Sequence, residues 1–355
     1  MIGTLACPLI AMQTSTQLAF KRLFGASLVA ACLGSMPVAF GQTSTPEEIA
    51  EYARPHQLID VGQGRKLNLV CRGTGSATVI FEAGMGASAW DWFTVHPVVA
   101  RVAKACVYDR AGLGFSNPAT RPGTSANAVD DLHTLLARAN LKPPFILVGH
   151  SLGGRVAQLY AYNYPRGVSG IVIIDSDHED ETARGNRVTD GKHAMIQAQE
   201  RANAEACHAA VHAGLREGTE AYEQCVGDGS TAYGPTLWPV VKAAQQNVKQ
   251  ADAGLSKHEH YDAESAAQLR AARKPFGDLP LIYLTRGVSP YMIPGKPQSD
   301  LNEAFEDEVL KSHDEIAQLS TRGVHYMVPG AGRDIQFDKP QAVIDAVLAL
   351  VAAQR

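Results

Sequence analysis

Residues 145–154, FILVGHSLGG, decide how this chain folds. Phe145, Ile146, Leu147 and Val148 form an apolar run that reads as a buried strand, and residues 154–164 read as a helix. Between them stands Gly149-His150-Ser151-Leu152-Gly153, the G-x-S-x-G pattern of a serine raised on a tight strand-to-helix turn. The backbone of such a serine is strained, and side chains at 149 and 153 would collide with neighbouring segments, which is why glycine flanks it. The turn lifts the Ser151 hydroxyl clear of the sheet edge and aims the amide of Leu152 at the space beside it.

Outward from this stretch, strands and helices alternate. Residues 56–61 and 66–72 read as a hairpin, with Gly62-Gln63-Gly64 as its turn. Residues 77–81 and 105–108 are short apolar strands, each running into a glycine-bearing loop, and 90–103 between them reads as helical. Residues 125–140 form an amphipathic helix with Val129, Leu132, Leu135, Leu136 and Ala139 on one face. After the serine turn comes the strand 168–175, VSGIVIID. Continuous apolar strands between helices predict a parallel sheet covered on both faces. Residues 177–278 break the alternation: they are helix-prone and contain no strong strand, so a helical cap over the carboxyl edge of the sheet is expected there. Strand 279–285, helix 300–320, strand 324–329 and helix 339–353 complete the pattern.

Before residue 43, Lys21-Arg22 precede a long stretch of apolar and small residues ending in Ala39-Phe40-Gly41, the form of a secretory signal cleaved before Gln42. A lipid anchor at Cys32 is the lesser alternative, and no later stretch is apolar enough to span a membrane. The expected division is therefore 1–42 signal peptide, 43–176 and 279–355 core, and 177–278 cap, in a periplasmic or secreted protein. The exported chain keeps four cysteines, an even number that suggests two disulfides in an oxidising compartment, and Cys207 and Cys225 can close a local loop. A formal net charge of −4 with no basic run gives no reason to expect nucleic acid. No cofactor motif appears. His208 and His212 stand at i, i+4, but Glu205 and Cys207 do not complete a ligand set, so no metal is expected and these read as solvated helix-surface histidines.

With GHSLGG at 149–154, EAGMG at 82–86, YDRAGLGFS at 108–116 and VPGAG then IQFDKPQAV near the end, the chain resembles the α/β-hydrolase-fold serine hydrolases, esterase- and lipase-like. The resemblance covers nearly everything from residue 56 onward except the cap. It implies a mostly parallel eight-stranded sheet, with helices on both faces and the cap inserted after the sixth strand. It places the strand of Cys71 beside that of Cys106, which makes a bridge between them possible. It also implies acyl transfer on a small-molecule ester or amide, with Ser151 as nucleophile and the backbone amides of Met85 and Leu152 as oxyanion donors. Asp109, Arg110 and Ser116 would order the loop beside the site.

Two positions depart from the family. The seventh strand ends Thr285-Arg286-Gly287 with no carboxylate, so Asp175 at the end of the sixth strand is the candidate acid, ahead of Asp177 and Asp300. Arg333 stands where the family carries its catalytic histidine. Arginine stays protonated at any accessible pH and cannot take a proton from Ser151. His178, three residues past Asp175, is the alternative base, while His150 reads as packing and His325 lies at the wrong end of its strand. Three readings follow: an exported serine hydrolase impaired at its base, a non-catalytic binding protein for small apolar acyl ligands, or a different reaction in which Arg333 holds an anionic group.

Overall fold

The alternating burial of FILV splits the molecule into two cores. In the computed structural model Ile146 and Val148 face one side of the sheet with Phe81, Trp92 and Val347, whereas Phe145 and Leu147 face the other with Leu132, Val156 and Ile171. A strand with an apolar residue at every position can only sit where both faces are covered. The structure describes residues 43–293 and 295–354; the signal peptide assigned to 1–42 and the alternative anchor at Cys32 lie outside the described residues.

The strands are β1 (Gln57–Gly62), β2 (Arg65–Arg72), β3 (Thr78–Glu82), β4 (Lys104–Tyr108), β5 (Phe145–His150), β6 (Val168–Ile174), β7 (Leu281–Arg286) and β8 (Gly323–Val328). They form one sheet in the order β1-β2-β4-β3-β5-β6-β7-β8. Only β2 runs against its neighbours; β3 through β8 are parallel. This is the expected mostly parallel sheet of eight. Cys71 on β2 is the register partner of Cys106 on β4, and the two are disulfide-bonded.

The helices outside the cap are α1 (Pro46–Ala50), α2 (His96–Val99), α3 (Ser125–Arg138) and α4 (Leu152–Asn163), then α11 (Asp300–Ala317), α12 (Ile335–Asp338) and α13 (Pro340–Ala352). The helix expected over 90–103 is a correction: that segment forms a 3₁₀ turn at Ala89–Trp92 and the single turn α2. Pro97 explains the split, since it has no amide to continue a helix from residue 93 but fits a first turn. Between β6 and β7 the chain forms α5 (Glu181–Val188), α6 (Lys192–His212), α7 (Glu220–Cys225), α8 (Ser230–Gln245), α9 (Val248–His260) and α10 (Ala266–Ala272). Helix α8 is broken at Gly234, which has φ 65 just before Pro235. Cys207 on α6 is bridged to Cys225 on α7. Among the described residues no helix is long and apolar enough to cross a membrane.

Candidate active site

Ser151 sits between β5 and α4 with φ 50 and ψ −122, a conformation that non-glycine residues rarely adopt. Holding it costs on the order of 1–3 kcal/mol, supplied by the surrounding packing. Its N–H donates to the Ile174 carbonyl at 2.9 Å, which pins the turn to β6. The flanking glycines are demanded by contact: a Cβ at 153 would meet the Glu82 carbonyl oxygen at 2.2 Å, and one at 149 the Gly153 oxygen at 2.3 Å. Leu152 opens α4, so its amide belongs to the first helical turn, whose N–H groups lack intrahelical acceptors.

The loop after β3 carries Met85, which lines the same cavity as Ser151. Arg110 fixes this loop. Its guanidinium donates to the Glu82 carboxylate at 3.0 Å, to the Ala83 carbonyl at 2.7 Å and to the Gly84 carbonyl. Buried Asp109 accepts from the amides of Ala89 and Phe115 and from Asn68, and Ser116 Oγ donates to the Asp109 carbonyl. These three residues thus hold the loops beside the serine.

Arg333 reaches the serine itself. Its Nη2 donates to Ser151 Oγ at 3.0 Å and to Asp177 Oδ1 at 2.9 Å, while Nη1 lies 3.4 Å from Asp175 Oδ2. The guanidinium therefore stands where the resemblance calls for an imidazole, between Ser151 Oγ and the carboxylates. Asp175 is fully buried and is held more closely by Arg286, through the backbone amide at 3.1 Å and Nη1 at 2.9 Å; Arg286 Nη2 in turn meets Glu306 at 3.0 Å. So the strand end that lacks the family acid supplies a cation to the acid one strand over. Asp177 also accepts from Tyr261 Oη at 2.6 Å. Arg155 spans the same loop, donating to the carbonyls of Asp177, His178 and Tyr261 and lying 3.8 Å from the centre of the Tyr261 ring.

Charge balance decides the ionisation of this cluster. Burial alone would raise the Asp175 carboxyl, but the Arg286 and Arg333 guanidiniums outweigh it and hold it below the usual carboxylate range. Asp177 behaves likewise: burial is opposed and overcome by Arg333 and Arg155. Glu181, without a cation in contact, is pushed up to about 8 by burial and then by the charge of Asp177. Neither aspartate is a strong base in this setting, and Arg333 is driven further toward its protonated form by Asp177 and Asp175 against the pull of burial.

The histidines are occupied elsewhere. His178 accepts from the Asp180 amide at its Nδ1, and its Nε2 lies 3.0 Å from Arg273; it is absent from the residues lining the cavity around Ser151. Burial, ahead of the neighbouring charges, lowers it to about 4. The structure therefore does not bring the alternative base to the serine, because Arg273 and Glu179 draw its ring away. His150 packs on Gly84 and ties the elbow to the last loop, with Nε2 3.1 Å from the Arg333 carbonyl and Nδ1 3.3 Å from Gln336 Nε2. His325 shares Thr285 Oγ1 with His313, at the far side of β7. Asp300 lies in the first turn of α11 and does not line the cavity.

That cavity has a volume of about 880 Å³ and runs from Ser151 out beneath the cap. Trp90, Tyr233 and Phe337 give its lining apolar surface, whereas Asp177, Glu181 and Glu200 bring carboxyl groups to it, and Arg201 and Arg333 guanidiniums. Its lining includes His208. His208 and His212 lie at the surface of α6, as expected, and both Nε2 atoms converge on Asp252 Oδ1 of α9, at 2.9 and 2.7 Å. No local spacing could have announced that partner, 40 residues away.

Comparison with known proteins agrees with this architecture. A family profile described as the alpha/beta hydrolase fold matches residues 77–216. An uncharacterized protein of Bacillus subtilis, YqjL, is 33% identical over 104 residues, 29% of this chain and 41% of that protein. The cis-3-alkyl-4-alkyloxetan-2-one decarboxylase of Shewanella oneidensis is 30% identical over 118 residues, 32% of this chain and 36% of its own. The chain spans about two fifths of the length of the curated relatives it matches. Among solved structures, a thermophilic esterase from Thermogutta terrifontis with malate bound superposes with a TM-score of 0.54 at 16% identity, covering 84% of this chain and 98% of that one. The chain has the α/β-hydrolase fold.

Proposed function

We propose that this chain is an exported serine hydrolase of carboxylic esters or amides, held to a remnant of its turnover by Arg333. The observation that carries the reading is Ser151 itself, kept in a strained elbow that opens on a cavity, with a guanidinium on its Oγ. A purely structural turn gains nothing from such strain. In this reading the substrate carbonyl sits with its oxygen toward the amides of Leu152 and Met85, and Ser151 Oγ attacks its carbon. As that bond forms, the hydroxyl proton must leave. Arg333, the side chain on Ser151 Oγ, is already protonated and cannot accept it, and Asp175 and Asp177 are weak bases under their arginines, so the proton passes to a water in the cavity. Loss of the base from such a unit typically costs about 10⁴–10⁶ in kcat, and the oxyanion donors supply what is left.

A second reading, a binding protein without catalysis, is favoured by the Ser151–Arg333 hydrogen bond, which ties the nucleophile to a cation. The carboxyl and guanidinium groups of the lining suit a polar ligand better than the small apolar acyl ligand expected from the sequence. The deciding experiment compares hydrolysis of short-chain aryl esters by the natural chain, Arg333→His, and each with Ser151→Ala. The impaired-hydrolase reading expects Arg333→His to raise kcat by about 10² or more, with both Ser151→Ala forms inactive. Equal rates for the natural chain and Arg333→His would overturn it. Fluorophosphonate labelling of Ser151 in the natural chain speaks for the hydrolase, and its failure there for the binding protein.

A further inference from the structure

We propose that His208, His212 and Asp252 form a binding site for one divalent transition-metal ion of the zinc class, which clamps cap helix α6 to α9. His208 and His212 are one turn apart on α6, so their side chains leave the same face. Their rings lie 4.4 Å apart between centroids, and both Nε2 atoms point at one oxygen of Asp252, at 2.9 and 2.7 Å. The three ligand atoms lie within 4.8 Å of one another. A zinc ion bound at about 2.0–2.2 Å from each ligand needs these atoms roughly 3.4 Å apart, so side-chain rotations of well under a turn of any helix suffice. Each imidazole would carry its proton on Nδ1, which frees the Nε2 lone pair for the metal.

The donor set selects the ion. Two imidazoles and a carboxylate suit zinc, nickel or copper, whereas calcium and magnesium prefer oxygen ligands throughout. His212 and Asp252 are exposed and His208 is half-buried, so water can complete a tetrahedral shell. The position matters to the cap. His208 follows Cys207, whose disulfide holds α6 to α7, and it lines the cavity. With α7 fixed on one side by the disulfide, an ion at this point would fix α9 on the other.

The test is calorimetric titration of ZnCl₂ into the full exported chain, free of any histidine tag and stripped with EDTA. The natural chain is expected to bind one equivalent of zinc with micromolar affinity. His212→Ala and Asp252→Asn should weaken binding at least tenfold, while His258→Ala, a cap histidine outside the trio, should bind as the natural chain does. Both ligand positions are exposed, so these variants should melt as the natural chain does without zinc. Zinc should raise Tm in the natural chain and leave His212→Ala unmoved. Cobalt(II) in place of zinc should give the visible absorption of a low-coordinate nitrogen–oxygen site, lost in the same two variants. No zinc uptake by the natural chain, or an equivalent that persists in His208→Ala/His212→Ala, overturns the proposal.

Discussion

At the scale of single residues the proposed hydrolase turns on one exchange, a guanidinium for an imidazole. Both groups donate hydrogen bonds, but only the imidazole gives its proton up near neutral pH. If Arg333→His restores a base, its kcat should rise with pH through the ionisation of an imidazole, whereas Arg333→Ala, which only frees Ser151 Oγ, should show no such rise. Initial rates from pH 5 to 9 distinguish the two. Ser151 was legible because its motif is local, with strand, turn and helix inside ten residues. The roles of Asp177 and Arg286 were not, because they arise where β6, β7 and the loop before α12 meet, and no spacing encodes that meeting. Asp175 illustrates the cost of the arrangement. Removing its charge leaves the buried Arg286 with Glu306 alone, so Asp175→Asn should destabilise the fold by about 3–5 kcal/mol, read from urea unfolding midpoints.

Elements carry a different kind of information. All eight strands were predicted, the inner ones because a strand covered on two faces is apolar throughout, and β1 and β2 because a glycine turn at 62–64 joins them, although β1 and the edge strand β8 are largely exposed. Residues 90–103 were misread, where apolar content suggested a helix but Pro97 divides the segment. The elbow is specified by close approach as well as by pattern. Gly153→Ala would drive a methyl group into the Glu82 and Ala83 carbonyls, which belong to the segment carrying Met85. Because backbone cannot yield as a flexible side chain does, this variant should lose fluorophosphonate labelling as well as stability, by more than about 2 kcal/mol. The β2–β4 bridge acts on the unfolded chain instead. It closes a separation of 35 residues, so Cys71→Ser/Cys106→Ser should lower unfolding free energy by about 3–4 kcal/mol under oxidising conditions, with no change in the unmodified protein's Ser151 geometry required.

For the molecule as a whole, the buried histidines set the response to acid. His96 is fully buried, with Nδ1 on Tyr52 Oη and Nε2 on the Ala105 carbonyl, a pair of contacts that suits the neutral ring. Burial, opposed by that backbone bond, lowers it to about 4, and the same cause brings His313 to about 3. Since the folded values lie below the ordinary 6.5, the unfolded chain binds more protons across this interval, and stability rises with pH. The contribution is whole above about 6.5 and is lost progressively as pH falls toward 4. Asp91 opposes it: burial raises its carboxyl to about 7, so its share of stability falls as pH rises over the same range. The natural chain therefore shows the sum of these opposed slopes with those of His178 and Glu181, and a comparison isolates one of them. His96→Gln removes the titrating ring, whatever constant cost it adds. Between pH 7.5 and 4.5 the natural chain should lose about 2–3 kcal/mol more unfolding free energy than His96→Gln, measured by urea titration at each pH. An equal loss in both would show that His96 is protonated in the folded protein, and that its hydrogen bonds to Tyr52 and Ala105 do not hold the ring neutral.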